Sequence, residues 1–193
     1  SLEDYPHLDS EISCLSSYLT QAMRQRQSGV NILIYGPPGT GKTQLVRAIA
    51  ESIGKRLCEV VVSTPAGAPK SPLARLNAFA TGQLILNCTQ EALILFDEME
   101  SSFSIHGLDS DEKLRGMKGW LNRTLEMNPV PTLWITNNQN LLDSAFIRRF
   151  QVCIEVGVPP RSVRRRILKA HLDDLSVKDQ LLDALAEQRQ ITP

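Results

Sequence analysis

Aromatic residues make up only 5% of the chain, and histidine occurs three times in 193 residues. So few rings argue against a nucleic-acid surface built on repeated base stacking. His7, His106 and His171 are far apart in sequence, which predicts surface or hydrogen-bonded histidines rather than a metal cluster. The four cysteines, Cys14, Cys58, Cys88 and Cys153, form no C-x-x-C pair and lie in or beside apolar segments. That pattern predicts reduced, packed thiols in a cytoplasmic protein rather than disulfides or zinc. An excess of charge of either sign is also missing: Lys+Arg and Asp+Glu are both 21. No global field therefore recruits nucleic acid or an acidic membrane surface, and partners must be recognised locally. No apolar run approaches the roughly 18 residues of a membrane helix. SLEDYPHL lacks the charged-then-apolar order of a secretory leader.

What the chain does contain is a regular alternation. Leu8, Ile12, Leu15, Leu19 and Met23 fall at helical spacing, with Asp9 or Ser10 available as an N-cap. VNILIY, RLCEVVV, ALILF, PTLWIT and VCIEV read as strands. Between them, helical patterns run from Lys42 to Gly54, from Pro72 to about Cys88 and through DEKLRGMKGWLNRTLEMN. STPAGAPKS and SSFSIHGLDS are loops by composition. Alternating strands and helices predict an α/β fold with a mostly parallel sheet covered on both faces. After Pro159 and Pro160 only two helical patterns remain, which predicts a core over residues 1–158 and a helical appendage over 159–193.

The first chemical motif is GPPGTGKT, placed between a strand and a helix. Gly36, Pro37, Pro38, Gly39, Thr40, Gly41, Lys42, Thr43 and Gln44 together would form a phosphate cradle. Glycines turn successive N–H groups inward around phosphate oxygens, and the helix start adds its positive dipole end. Lys42 would reach the β and γ phosphates, and the Thr43 hydroxyl would complete the coordination of Mg²⁺. The second motif is the strand end ALILFDE. Parallel sheets gather ligands at their C-terminal strand ends, so Asp97 and Glu98 should face the crevice that holds the cradle. Asp97 would then hold Mg²⁺, directly or through water, and Glu98 would polarise a water for attack on the γ phosphorus. The third is TNNQNLLDSAFIRRF. Asn137 ends a strand at the same side, and Arg148 and Arg149 follow on a short helix-like stretch, a pairing that suits stabilisation of charge on another molecule's phosphate.

These three segments, in this order and spacing over residues 30 to about 172, resemble the AAA+ family of ATPases, and in particular its AAA branch. The resemblance implies a three-layer α/β/α P-loop sandwich with a five-stranded sheet of order 5-1-4-3-2. It also implies ATP and Mg²⁺ as ligands, assembly into rings of identical subunits, and Arg148 and Arg149 acting on the neighbouring subunit's nucleotide. An adenine pocket would involve Tyr5, His7 and Leu8. A remodelled protein partner is implied as well, its identity open. Two departures qualify that expectation. Family members that thread a polypeptide usually carry an aromatic in the loop after the second strand; here no aromatic precedes Phe79, and Phe103 or Ile105 would have to substitute. The family's helical lid generally has about four helices, whereas two follow Pro160, so a truncated lid is expected.

The basic run Arg161, Arg164, Arg165 and Arg166 lacks interleaved aromatics, which predicts a solvated or subunit-contacting face rather than a nucleic-acid site. The alternatives to an ATPase are a nucleotide-gated scaffold with little hydrolysis, consistent with the missing loop aromatic, and a small-molecule kinase. The kinase would need an acceptor pocket and an inserted lid, for which the sequence offers no segment.

Overall fold

A computed structural model describes residues 2–64, 66–89, 91–103, 112–142, 144–172 and 179–188. Five strands, β1 (Asn31–Tyr35), β2 (Arg56–Glu59), β3 (Ala92–Phe96), β4 (Thr132–Thr136) and β5 (Val152–Glu155), form one parallel sheet in the order β2-β3-β4-β1-β5. That is the order 5-1-4-3-2 expected from the resemblance, seen from the other edge. β1, β3 and β4 are wholly or almost wholly buried, as strands covered on both faces must be.

Side chains alternate between two cores along the strands. Ile32, Ile34, Leu93, Leu95, Leu133 and Ile135 pack with α1 (Asp9–Arg24) and α2 (Lys42–Ser52). On the other face, Leu33, Ile94, Phe96 and Trp134 pack against α3 (Pro72–Leu86) and the end of α5 (Glu112–Met127). Trp134 stacks on Phe96 with ring centroids 4.9 Å apart and meets the edge of Phe79 at 5.0 Å. Its indole N–H donates to Asn31 Oδ1 at 3.0 Å, and the Asn31 amide in turn donates to the Leu125 carbonyl at 2.6 Å. This buried polar link fixes the N-terminal end of the sheet against α5.

Four local expectations change. α1 begins at Asp9 itself, straight out of the 3₁₀ turn Pro6–Leu8, and no side chain caps it. Burial of Leu8 takes the place of a polar cap in setting the entry of the chain. β2 stops at Glu59 rather than running through the valines, because Val61 and Val62 point to solvent on an edge strand. The chain then turns back on itself, with Lys70 N–H donating to the Val62 carbonyl at 2.9 Å. The cysteines are free, but Cys14, Cys88 and Cys153 are exposed rather than packed. Cys14 lies between the buried Ile12 and Leu15 in sequence yet on the outer side of α1. His7 is neither a surface residue nor a satisfied one: it is half-buried, neither ring nitrogen has a hydrogen-bond partner among the described residues, and burial lowers its pKa. His106, Ile105 and the side chains of Phe103 and His171 lie outside the described residues.

The basic run acquires partners within the chain. α7 (Arg161–Leu172) packs on α8 (Asp179–Glu187), whose Asp179, Asp183 and Glu187 repeat every fourth residue. Arg165 bonds Asp183 at 2.8 Å and Asp179 at 2.7 Å, while Arg161 pairs with Glu187 at 3.3 Å. Arg164 is buried and donates to the Ala186 carbonyl, satisfying the end of α8, and to the Pro159 carbonyl. Arg166 pairs with Asp4 at 3.5 Å. The run therefore keeps the part-solvated face expected of it in Arg161, Arg165 and Arg166, and adds an intramolecular clasp through the buried Arg164.

Candidate functional site

The phosphate-loop motif joins β1 to α2 at the C-terminal edge of the sheet. Three of its glycines take positive φ: Gly36 at 145°, Gly39 at 76° and Gly41 at 84°. At Gly36 the requirement is absolute, because a Cβ would lie 2.2 Å from the Val156 carbonyl oxygen. Pro37, Pro38 and Gly39 are exposed, as is Gln44 in the first turn of α2, while Thr40 is buried with its hydroxyl donating to the Pro37 carbonyl at 3.0 Å. Lys42 Nζ donates to the carbonyls of Gly36 at 2.9 Å and Pro37 at 2.7 Å, which holds the ammonium inside the curve of the loop. Burial lowers its pKa, and the charges of Asp97 and Glu100 act in the opposite direction.

Tyr5 closes the rear of this loop. Its hydroxyl donates to the Gly41 carbonyl at 2.9 Å, and burial, with the Asp4 charge, pushes its pKa up to about 12. Of the three residues suggested for an adenine pocket, Tyr5 thus braces the loop. Leu8 is buried in the core beneath α1.

The loop and the acidic strand end meet directly. Thr43 Oγ1 donates to Asp97 Oδ2 at 2.7 Å, and Asp97 Oδ1 accepts the Glu98 N–H at 2.7 Å. Both carboxylate oxygens of Asp97 are thereby oriented. Glu98 is exposed and has φ of 49°, a left-handed conformation that a residue with a side chain adopts only when its surroundings impose it. Next to the pair lies a groove of about 280 Å³ walled by Thr43, Asp97, Glu98, Val60 and the Arg47–Glu59 ion pair. A cavity of about 320 Å³ at the opposite end of the sheet, by Arg26, Asn87 and Pro131, brings together none of these groups.

Asn137 follows β4, and its side-chain amide donates to Glu100 Oε1 at 2.9 Å, with its backbone N–H on the same oxygen at 3.3 Å. Arg148 and Arg149 lie in the turn after the short helix α6 (Ser144–Ile147) and are not equivalent. Arg148 is exposed, whereas Arg149 forms an ion pair with Glu126 of its own chain. Sequence reasoning missed Glu100 and Arg75 as members of this constellation, and it placed Tyr5 at the adenine rather than behind the loop. Glu100 stands in the acidic cluster DEME and could be weighed from sequence; Arg75 lies in a segment without a local signature.

A hydroxyl and a carboxylate 2.7 Å apart are hard oxygen ligands of the kind Mg²⁺ uses. Among the described residues no group of three or more His, Cys, Asp or Glu could hold a metal by itself. The pair Thr43 and Asp97 therefore suits an ion that takes its remaining ligands from phosphates and water.

Residues 32–158 match the family model "ATPase family associated with various cellular activities (AAA)". The chain belongs to the AAA family. Protein SAV of Sulfolobus acidocaldarius is 30% identical over 173 residues, covering 82% of this chain and 21% of that protein. Proteasome-activating nucleotidase 2 of Haloferax volcanii is 31% identical, covering 81% and 40%, and vesicular-fusion protein SEC18 of Saccharomyces cerevisiae is 26% identical, covering 83% and 24%. The chain thus spans well under half the length of these AAA relatives. The FIGL-1 AAA domain in complex with ADP superposes with a TM-score of 0.65 at 20% identity, over 93% of this chain and 64% of that one, a likeness of fold. Membership makes this an AAA ATPase module of the ATP-binding type. Among the described residues no helix is long and apolar enough to cross a membrane.

Proposed function

We propose that this AAA chain binds MgATP and hydrolyses it between adjacent copies of itself. The observation that carries this reading is the 2.7 Å bond from Thr43 to Asp97, which joins the phosphate cradle to the acidic strand end and leaves Glu98 exposed beside them. Gly36 to Gln44 bind the phosphates through backbone N–H groups and the Lys42 ammonium, whose bonds to the Gly36 and Pro37 carbonyls exchange for phosphate oxygens. Thr43 and Asp97 hold Mg²⁺, which neutralises charge on the phosphates when bound. Glu98 orients a water and accepts its proton as the water attacks the γ phosphorus in line. Asn137 fixes the water or the γ phosphate, and Arg148 of one copy stabilises developing charge at its neighbour's nucleotide.

In this reading residues 1–158 form the nucleotide-binding core and 159–193 a helical lid segment, and the assembled modules remodel a protein partner. The arginines of α7 are engaged with α8 and the N-terminal segment, which supports a protein partner over nucleic acid. Exposed free cysteines fit a reducing, cytoplasmic setting. A second reading, a nucleotide-gated scaffold with little hydrolysis, draws on the loop Val61–Ser71, which holds no aromatic residue.

The assignment of roles is tested by comparing Lys42→Ala with Glu98→Gln. The first should abolish MgATP binding; the second should keep binding and stall turnover. Equal loss of binding in both variants would refute the roles given to Lys42 and Glu98.

A further inference from the structure

Arg75 lies within the first turn of α3, one helical turn after Ser71, whose hydroxyl accepts the Ala74 N–H at 3.3 Å and caps the helix. Arg75 is only 3% exposed. The guanidinium carbon stands 4.6 Å from the centroid of the Phe96 ring, the last residue of β3, so the plane is held by stacking as well as by hydrogen bonds. From there Nη1 donates to the Glu98 carbonyl at 3.1 Å and to Ser101 Oγ, and Nη2 donates to the Asp97 carbonyl. Ser101 Oγ also donates to the Glu98 carbonyl at 2.9 Å.

These bonds fall on the one non-glycine residue of the site whose backbone is left-handed. Glu98 at φ 49° would relax to an ordinary conformation unless its carbonyl were fixed. The Asp97 and Glu98 carbonyls face α3, where the fork of Arg75 takes both. A lysine, with all its donors on one atom, would not hold both carbonyls and Ser101 Oγ while keeping a flat stack on Phe96. On the far side of the turn, Met99 N–H donates to the Ile135 carbonyl at 2.9 Å, tying it to β4. Glu98 is therefore gripped from α3 through Arg75 and from β4 through Met99, while its own side chain remains exposed.

We infer that Arg75 is a positioning residue for Glu98: it imposes the left-handed turn that aims the Glu98 carboxylate into the groove beside Thr43 and Asp97, without itself touching nucleotide. This inference rests on the role proposed for Glu98. Its consequence is a separation of binding from turnover, since the phosphate loop is held by other contacts, among them those of Tyr5 and Lys42.

The experiment is a double-mutant cycle of Arg75→Lys with Glu98→Gln, read by steady-state MgATP hydrolysis and by amide hydrogen exchange. Arg75→Gln is made in parallel, so that a folded variant is in hand, and thermal unfolding checks each protein. Arg75→Lys should lower kcat about tenfold or more with KM within about twofold. On the residual single-turnover rate of the Glu98→Gln protein it should produce no further fall, because the group it positions is gone. The amides of residues 98–101 should exchange at least about tenfold faster, with β1 and β4 unchanged. A similar fall in both backgrounds, a rise in KM alone, or unchanged exchange at residues 98–101 would overturn the inference. Should the unsubstituted chain bind MgATP yet show no turnover, the hydrolytic reading fails by itself. The exchange comparison then still decides whether Arg75 holds the turn.

Discussion

Glu100 Oε1 accepts two hydrogen bonds from Asn137, one from the side-chain amide at 2.9 Å and one from the backbone N–H at 3.3 Å. The asparagine at the end of β4 is thus held by an acidic residue that follows the end of β3, two positions beyond Glu98. Whatever Asn137 senses, its orientation is shared with the strand end that carries the proposed base.

Removing that tether has a measurable expectation. Glu100→Ala frees the amide to rotate and leaves the loop after Thr136 less fixed, at a stability cost of about 1 kcal/mol for the lost hydrogen bonds. Turnover should fall about three- to thirtyfold while MgATP affinity changes little, which steady-state kinetics beside nucleotide titration would read. Unchanged kcat in Glu100→Ala would remove the tether from the account.

The two arginines should separate. Arg149 is paired with Glu126 on a partly exposed surface, their side chains 40% and 46% accessible, so Arg149→Ala should cost about 0–1 kcal/mol of stability and little activity. Arg148→Ala should reduce hydrolysis at least about tenfold, and only where copies assemble. Mixing Arg148→Ala with Glu98→Gln should restore part of the activity, since some mixed interfaces then combine an intact arginine with an intact glutamate. No recovery on mixing would contradict action between copies.

What could be read without coordinates was whatever depends on neighbours in sequence. The alternating strands, the phosphate loop and the acidic end of β3 all announce themselves within ten residues or so, because strand burial and glycine-dependent loop geometry are local requirements. Arg75 is different: its partners Asp97, Glu98 and Ser101 come from another element, and a lone arginine in a helix has no pattern that separates it from a surface residue. In the run Arg161, Arg164, Arg165 and Arg166 the solvated face is legible in the sequence, but the buried role of Arg164 and the ion-pair partners are not. The run's character depends on the acidic repeat of α8, which becomes its partner only when the two helices fold together. Asp9 and Ser10 looked like caps because their type is right, but the buried Leu8 and the preceding turn place the start of α1 elsewhere.

Alkaline pH probes the brace behind the loop. Tyr5 has its pKa raised from 10.0 to about 12, so the folded state keeps a proton that the unfolded chain gives up. The stability it contributes is fully present below pH 10 and is lost as pH rises from 10 towards 12. Tyr5→Phe, which lacks the bond to Gly41, should cost about 1 kcal/mol at neutral pH and show a shallower loss across that alkaline window. Denaturant titrations at a series of pH values would read it; parallel curves for the two proteins would contradict the raised pKa.

In the mechanism proposed for this chain, hydrolysis requires both Glu98 and a neighbouring copy. That requirement is tested most directly by the rate of ATP hydrolysis per chain as a function of protein concentration, for the unsubstituted chain and for Glu98→Gln. The specific rate should climb with concentration and collapse in Glu98→Gln while that variant still binds MgATP. A specific rate that is flat across concentrations, or one that survives Glu98→Gln, would contradict it.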